Sequence, residues 1–279
     1  MDYINKIFFK DARKMTELPN NSVNLIITSP PYFNIKNYSK DGHQKKQISK
    51  KIKGQIGDIK NYKEYIDEML KVWKECERVL KPNGKLIINA PLMPMQKKNF
   101  STHFNRHIFD INSDIENSIL SNLKEIFLLD VYIWNRKNST KKLMFGSYPY
   151  PRNFYAQNTI EFIAVYVKDG HSENEVLKKI KKASKLTQKE WIKYTKQIWD
   201  IPIPNKKDLA FGKHSAIMPE EIVRRCVRLF TFVGDIILDP FAGSGTTLKV
   251  AKELNRNYVG YEISKSYKRI INLKLQSFH

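Results

Sequence analysis

Ile236-Ile237-Leu238-Asp239-Pro240-Phe241-Ala242-Gly243-Ser244-Gly245-Thr246-Thr247 decides the fold. An apolar, β-branched run, an acid and a turn with two glycines lead into a helical pattern from Thr246 to Leu254, and a second strand pattern follows from Tyr258 to Ile263. This is the strand, turn, helix, strand order of a parallel sheet. Gly243 and Gly245 remove Cβ atoms where the strand turns into the helix, so a ligand can approach the backbone, and the free amides at Thr246 point toward it. A lone GxG also fits an ordinary tight turn, so the acids around it carry weight. Asp239 precedes the turn, and Glu262 ends the next strand, where a carboxylate can accept hydrogen bonds from the two hydroxyls of a ribose. Neither GxxxxGK[ST] nor a full GxGxxG is present. That disfavours triphosphate and dinucleotide ligands and favours a cofactor with a ribose and no phosphate, of which S-adenosylmethionine is the common one.

Working outward, a second apolar run, Val23 to Ile27, ends in Thr28-Ser29-Pro30-Pro31-Tyr32. Both motifs therefore sit just past the carboxyl end of a buried strand, the edge at which open α/β sheets bind ligands. Further strands are expected at Ile4 to Lys10, Lys85 to Ala90, Ile126 to Trp134 and Thr159 to Lys168, with a helix from Tyr62 whose Ile66, Met69, Leu70, Trp73, Cys76, Val79 and Leu80 share one face. Pro82-Asn83-Gly84 is expected to stop that helix, and another helix is expected over Pro219 to Phe230. Residues 34–60, lysine-rich and without apolar period, read as a mobile loop, and 92–124 is polar with a helix expected near its end. The alternation predicts a doubly wound, largely parallel sheet in one domain with insertions.

Lys and Arg outnumber Asp and Glu by 49 to 28, a formal charge of +21. Such an excess points to a polyanionic partner, although a merely solvated basic surface is the bland alternative. The lysines crowd one segment, residues 170–210, with Lys178, Lys179, Lys181, Lys182 and Lys185 on a helical stretch followed by Trp191, Tyr194 and Trp199. Having no evident place in the sheet, this segment is read as a DNA-contacting, target-recognition unit between a catalytic half, 1–169, and a cofactor-binding half, 211–279. Cys76 and Cys226 have no metal-ligand or CxxC spacing and read as buried thiols in a reducing compartment. The six His residues form no HExxH-like pattern, so no metal is expected. No apolar run reaches membrane-spanning length and the start lacks a signal-peptide pattern, so a cytoplasmic protein without a membrane partner is expected.

Leu238 to Thr247 resembles the cofactor motif of the amino-group DNA methyltransferases, and the resemblance extends over nearly the whole chain. It includes Gly54-Gln55-Ile56-Gly57, Arg78 to Gly84 and Ile198 to Pro202. The resemblance implies an α/β, seven-stranded, Rossmann-like methyltransferase domain with a small DNA-recognition insertion. It also implies a cofactor site of Asp11, Thr28, His214, Ser215, Asp239, Phe241, Gly243, Ser244, Gly245, Thr246 and Glu262. In that site Phe241 would flank the adenine, Asp11 would lie near its amino group, Glu262 would hold the ribose, and the Gly243 and Gly245 backbone would face the methionine. Lys213 to Glu221 is similar to the family segment that contacts the methionine carboxylate, with Ser215 where the family has Pro. The order, Pro-Pro loop first and cofactor loop last, is the β arrangement of that family. Its prokaryotic members act on double-stranded DNA, many beside a restriction endonuclease that shares their recognition site, and many as homodimers.

The Ser-Pro-Pro-Tyr loop then acquires a chemistry. An exocyclic amino nitrogen of cytosine or adenine is a poor nucleophile because its lone pair is delocalised into the ring. Acceptors on its two hydrogens relocalise that pair toward the methyl to be transferred. Ser29 Oγ and the Pro30 carbonyl are the expected acceptors, Pro30 and Pro31 remove competing amide donors, and Tyr32 is expected to stack on an extruded base. Ser before the Pro pair resembles the cytosine-N4 members more than the adenine-N6 ones. RNA or protein amide methyltransferases more often carry Asn-Pro-Pro-Tyr, and a fold that had lost catalysis would show an altered loop or no Glu262. Cytosine-C5 enzymes attack through a Cys after Pro, and neither Cys here follows Pro.

Overall fold

The computed structural model describes residues 2–33, 52–96, 106–137, 147–153, 156, 158–171, 175–212, 214 and 216–277. The lysine-rich stretch 34–51 and Ser215 lie outside the described residues. All seven expected strands form: β1 (Lys6–Phe8), β2 (Val23–Thr28), β3 (Leu80–Gln96), β5 (Ile126–Asn135), β6 (Ile160–Lys168), β8 (Ile236–Asp239) and β9 (Asn257–Tyr261). The sheet nevertheless has nine strands, in the order β1-β9-β8-β2-β3-β6-β5-β7, with β4 paired to the far half of β3. The two additions to the expected seven are short: β4 (Arg106–Asp110) runs antiparallel to β3, and β7 (Ile198–Asp200) pairs parallel with the end of β5. Along the main path only β6 runs against its neighbours, so the sheet is mixed but mostly parallel.

Alternation along the strands builds two cores. Leu86, Ile88, Ala164, Tyr166, Leu238 and Val259 face one layer, against α1 (Tyr62–Val79) and α2 (Ile111–Asn122). Leu25, Ile27, Ile87, Val165 and Ile237 face the other, against α5 (Glu220–Phe230) and α6 (Thr246–Glu253). Helix α1 starts where the Asn61 side chain accepts the Glu64 amide, and it buries Tyr65, Met69, Val72, Trp73, Cys76 and Val79. The stripe is thus rotated slightly from the expected one, leaving Ile66 and Leu70 half-buried. Pro82-Asn83-Gly84 does not stop the helix. Leu80 already pairs with Val23, and the residues after it bulge out of β3 through Asn83 at φ 60° before Lys85 pairs with Leu25.

Residues 170–210 do have a place in the sheet, contrary to the sequence reading. Helices α3 (Lys178–Ser184) and α4 (Gln188–Tyr194) lead into β7, whose Trp199 is fully buried against Tyr132 with ring centroids 4.7 Å apart. The Arg225 guanidinium of α5 lies over both Tyr194 and Trp199. Two of the three aromatics singled out there therefore pack internally, and Trp191 alone is exposed. Both cysteines are buried thiols, as expected, and burial raises both pKa values, that of Cys226 to about 12.

Candidate active site

Strands β2 and β8 are neighbours, so the sheet itself brings the two motifs side by side. Thr28 Oγ1 donates to Asp239 Oδ1 at 2.9 Å, a bond between residues 211 positions apart. The same carboxyl oxygen accepts the Phe241 amide at 3.0 Å, shaping the start of the turn. Asp239 is fully enclosed, and desolvation pushes its pKa up from 3.8 to about 6 against the pull of these hydrogen bonds.

The turn itself requires its glycines for two different reasons. Gly243 has φ 51°, and a Cβ there would lie 2.7 Å from His214 Nε2. The His214 ring therefore sits directly on the turn; its Nδ1 accepts the Ala216 amide at 3.1 Å, and its face leans on Tyr267 with centroids 4.9 Å apart. Gly245, at φ 82°, caps α6, and a Cβ there would meet Ile271 of α7 (Lys268–Gln276) at 3.1 Å. Its missing side chain leaves room for α7 to pack against the turn.

Glu262 follows β9 and is buried. Its Oε2 accepts the Gly243 amide at 2.9 Å and its Oε1 the Ser264 amide at 2.7 Å. Two backbone amides thus hold the carboxylate rigidly at the edge of the turn. Asp11 is gripped by Arg13, whose Nε donates to Oδ1 and Oδ2 at 3.0 Å each and whose amide donates to Oδ1 at 2.9 Å. Arg13 also reaches the Gly54 carbonyl at 2.9 Å and pairs with Glu68 of α1, and Asp11 holds its guanidinium above its ordinary pKa. Sequence reading missed Arg13, although an Arg two positions from a site acid is a pairing signal.

One cleft, enclosing about 870 Å³ of space open to solvent, is lined by Asp11, His214, Asp239, Phe241, Gly243, Ser244, Thr246 and Glu262 together with Ser29, Pro30 and Pro31. Gly54, Gln55 and Ile56 close its side. A buried, amide-held carboxylate beside a glycine-gated helix start fits a nucleoside bearing an amino-acid tail. Thr28 lies behind this wall, holding Asp239. Tyr32 is buried, at 7% exposure, and its hydroxyl is 2.6 Å from Ser29 Oγ. Tyr32 also belongs to the main core cluster and is not among the residues that line the cleft.

The lysines stand elsewhere. Lys178, Lys179, Lys181, Lys182 and Lys185 are exposed, but none lines the cleft. The end of α3 is anchored where Ser184 Oγ accepts the Val233 amide at 2.8 Å and the Lys185 carbonyl accepts from Arg228 at 3.0 Å. Val233 precedes β8, so this anchor lies at the amino edge of the sheet, opposite the site.

Comparison with known proteins agrees with this geometry. A family model described as a DNA methylase, of the N6/N4 methyltransferase type, matches residues 23–273. The type II methyltransferase M.MjaI of Methanocaldococcus jannaschii is 31% identical over 288 residues, covering 97% of this chain and 90% of that protein. M.MthZI of Methanothermobacter thermautotrophicus is 28% identical, covering 99% of this chain and 77% of that one. A Thermus thermophilus protein described as a DNA modification methylase, solved with S-adenosyl-L-methionine, superposes with a TM-score of 0.74 at 27% identity, covering 98% of this chain and 96% of that one. The cytosine-N4-specific PvuII DNA methyltransferase shares the fold, with a TM-score of 0.68 at 17% identity and coverage of 98% and 88%. The chain belongs to the N6/N4 family of DNA methylases, with S-adenosylmethionine as its cofactor.

Proposed function

We propose that this chain methylates the exocyclic N4 of a cytosine extruded from double-stranded DNA. The observation that carries the reading is the neutral Ser29 hydroxyl at the mouth of the cofactor cleft, paired with Tyr32. When Ser29 donates its own proton to the Tyr32 oxygen, both Ser29 lone pairs stay open to an amino hydrogen. The Pro30 carbonyl takes the second hydrogen, and the nitrogen lone pair is turned toward the cleft. Pro30 and Pro31 bring no amide donors that would compete for these acceptors.

The cofactor supplies an electrophilic methyl on a sulfonium. As the new N–C bond forms, the S–C bond breaks, S-adenosylhomocysteine is left, and the extra amino proton passes to water. Glu262 and the Gly243 turn orient the cofactor, while Asp239, linked to Thr28, keeps the two loops in register. Catalysis here rests on positioning and on acceptors fixed in advance. The likeness to type II methyltransferases supports a role beside a restriction endonuclease of the same recognition site.

The test is direct. DNA incubated with the enzyme and cofactor is digested to nucleosides and the modified one identified by mass spectrometry. N4-methylcytosine is expected, and N6-methyladenine in its place would overturn the assignment.

A further inference from the structure

Behind the Gly-rich turn lies a charged pair that sequence reading did not find. Lys274, in α7, is among the largest fully buried side chains of the protein, at 1% exposure. A buried ammonium needs all three of its protons placed. Nζ reaches Asp208 Oδ1 at 3.1 Å, Ser244 Oγ at 3.3 Å and Thr246 Oγ1 at 3.0 Å. Each of these is an acceptor, so the ammonium is saturated.

This geometry fixes the direction of two other protons. A hydroxyl that accepts from Lys274 still carries one O–H to donate, and among the described residues neither Ser244 nor Thr246 has a protein acceptor for it. Both residues are nine-tenths or more buried, and both line the cleft. The two protons therefore point to an acceptor on the bound ligand. They lie at the start of α6, where amides and the helix dipole favour an anion, and across the turn from the Glu262 carboxylate, which takes hydroxyls. The anionic group of S-adenosylmethionine is its carboxylate.

We infer that Lys274 is a positioning residue: with Asp208 it holds Ser244 and Thr246 as proton donors to the cofactor carboxylate. The pair also ties the turn to the segment that bears His214. Asp208 Oδ1 accepts the Ala210 amide at 2.7 Å, and the Ala210 carbonyl accepts the His214 amide at 3.0 Å. Ile271, one helical turn before Lys274, packs under Gly245. Helix α7 thus supports the cofactor loop from behind at two points, and Lys274 is the polar one.

The experiment compares S-adenosylmethionine with decarboxylated S-adenosylmethionine by calorimetric competition, on the full chain and on Lys274→Met. The wild-type protein is expected to prefer the carboxylate-bearing ligand by roughly 10-fold or more, as hydrogen bonds to a charged group usually give. Lys274→Met is expected to lose most of that preference while its affinity for the decarboxylated ligand stays within about 2-fold. A preference that survives the substitution, or a parallel loss for both ligands, overturns the assignment, and so does a wild-type protein that does not discriminate. Removing one partner leaves Asp208 without its cation, so Asp208→Asn/Lys274→Met is measured alongside. The same selective loss is expected there, and failure of both variants to fold would reduce the pair to a structural role and overturn the inference. Binding of S-adenosylmethionine by the wild type, shown in the same titration, separates this outcome from any failure of the cofactor assignment.

Discussion

The two halves of the site are held in different ways. On the cofactor side, polar atoms are gripped by segments far away in the chain: Asp239 by Thr28, Glu262 by Gly243 and Ser264, and Ser244 and Thr246 by Lys274. On the Ser-Pro-Pro-Tyr side, proposed to hold the base, Ser29 meets Tyr32, three positions along the same loop. The cofactor half is thereby part of the core, and disturbing it perturbs packing and binding together. The Ser-Pro-Pro-Tyr half is a proline-stiffened turn in which Ser29 can be altered with little effect on the fold.

The sharpest way to break this contrast is at Gly243. A valine there must place Cβ where His214 Nε2 already stands 2.7 Å away, and must do so at φ 51°, which β-branched residues disfavour. Gly243→Val is expected to weaken cofactor binding by at least about 100-fold and to lower the melting temperature as well. Normal binding by calorimetry would show that the turn is not tied to the core as described.

Ser29→Ala tests the other half. On the proposed reading it removes one acceptor from the amino group without touching the cofactor, so turnover should fall by roughly 100-fold or more while cofactor affinity stays within about 2-fold. An unchanged rate would remove Ser29 from the chemistry, and a matching loss of cofactor affinity would erase the distinction between the halves.

A smaller effect should come from Asp239→Asn, read as stability against pH. The folded pKa of Asp239 lies at about 6, above its ordinary 3.8, so its contribution is fully present below the lower value and is lost as pH rises through the upper one. Removing the charge should leave the variant gaining on the wild type between about pH 4 and pH 6, by about 2–3 kcal/mol, and holding that gain at higher pH. Chemical denaturation of both proteins across this range checks it. A difference that does not change with pH would mean that Asp239 is not carrying a desolvated charge.

Much of this architecture was legible in the residues. Strand patterns such as Val23–Thr28 and Ile236–Asp239 are mostly apolar and rich in β-branched residues because these strands are covered on both faces, and such runs have few alternative readings. The glycines and prolines at their ends were legible for a similar reason, since each limits the backbone by itself. Strands β4 and β7 escaped because short strands at the margins of a sheet depend on partners more than on pattern. Tyr194 and Trp199 were misread because a buried ring and a ring awaiting a ligand have the same sequence. The lysines of α3 illustrate the same limit: density of charge was visible, but the edge of the sheet it would occupy was not.

By itself the sequence determined the strand-end loops and the order in which the chain supplies them, because these depend on local backbone preference and on the strand pattern that precedes each loop. Only the tertiary structure decided which distant groups complete them. Thr28 meets Asp239, His214 roofs Gly243, and Lys274 rises beneath Ser244 and Thr246 because neighbouring strands and a packed C-terminal helix bring them together. The physical reason is that a buried polar atom must find a partner wherever the fold places one, and spacing along the chain carries no record of that choice.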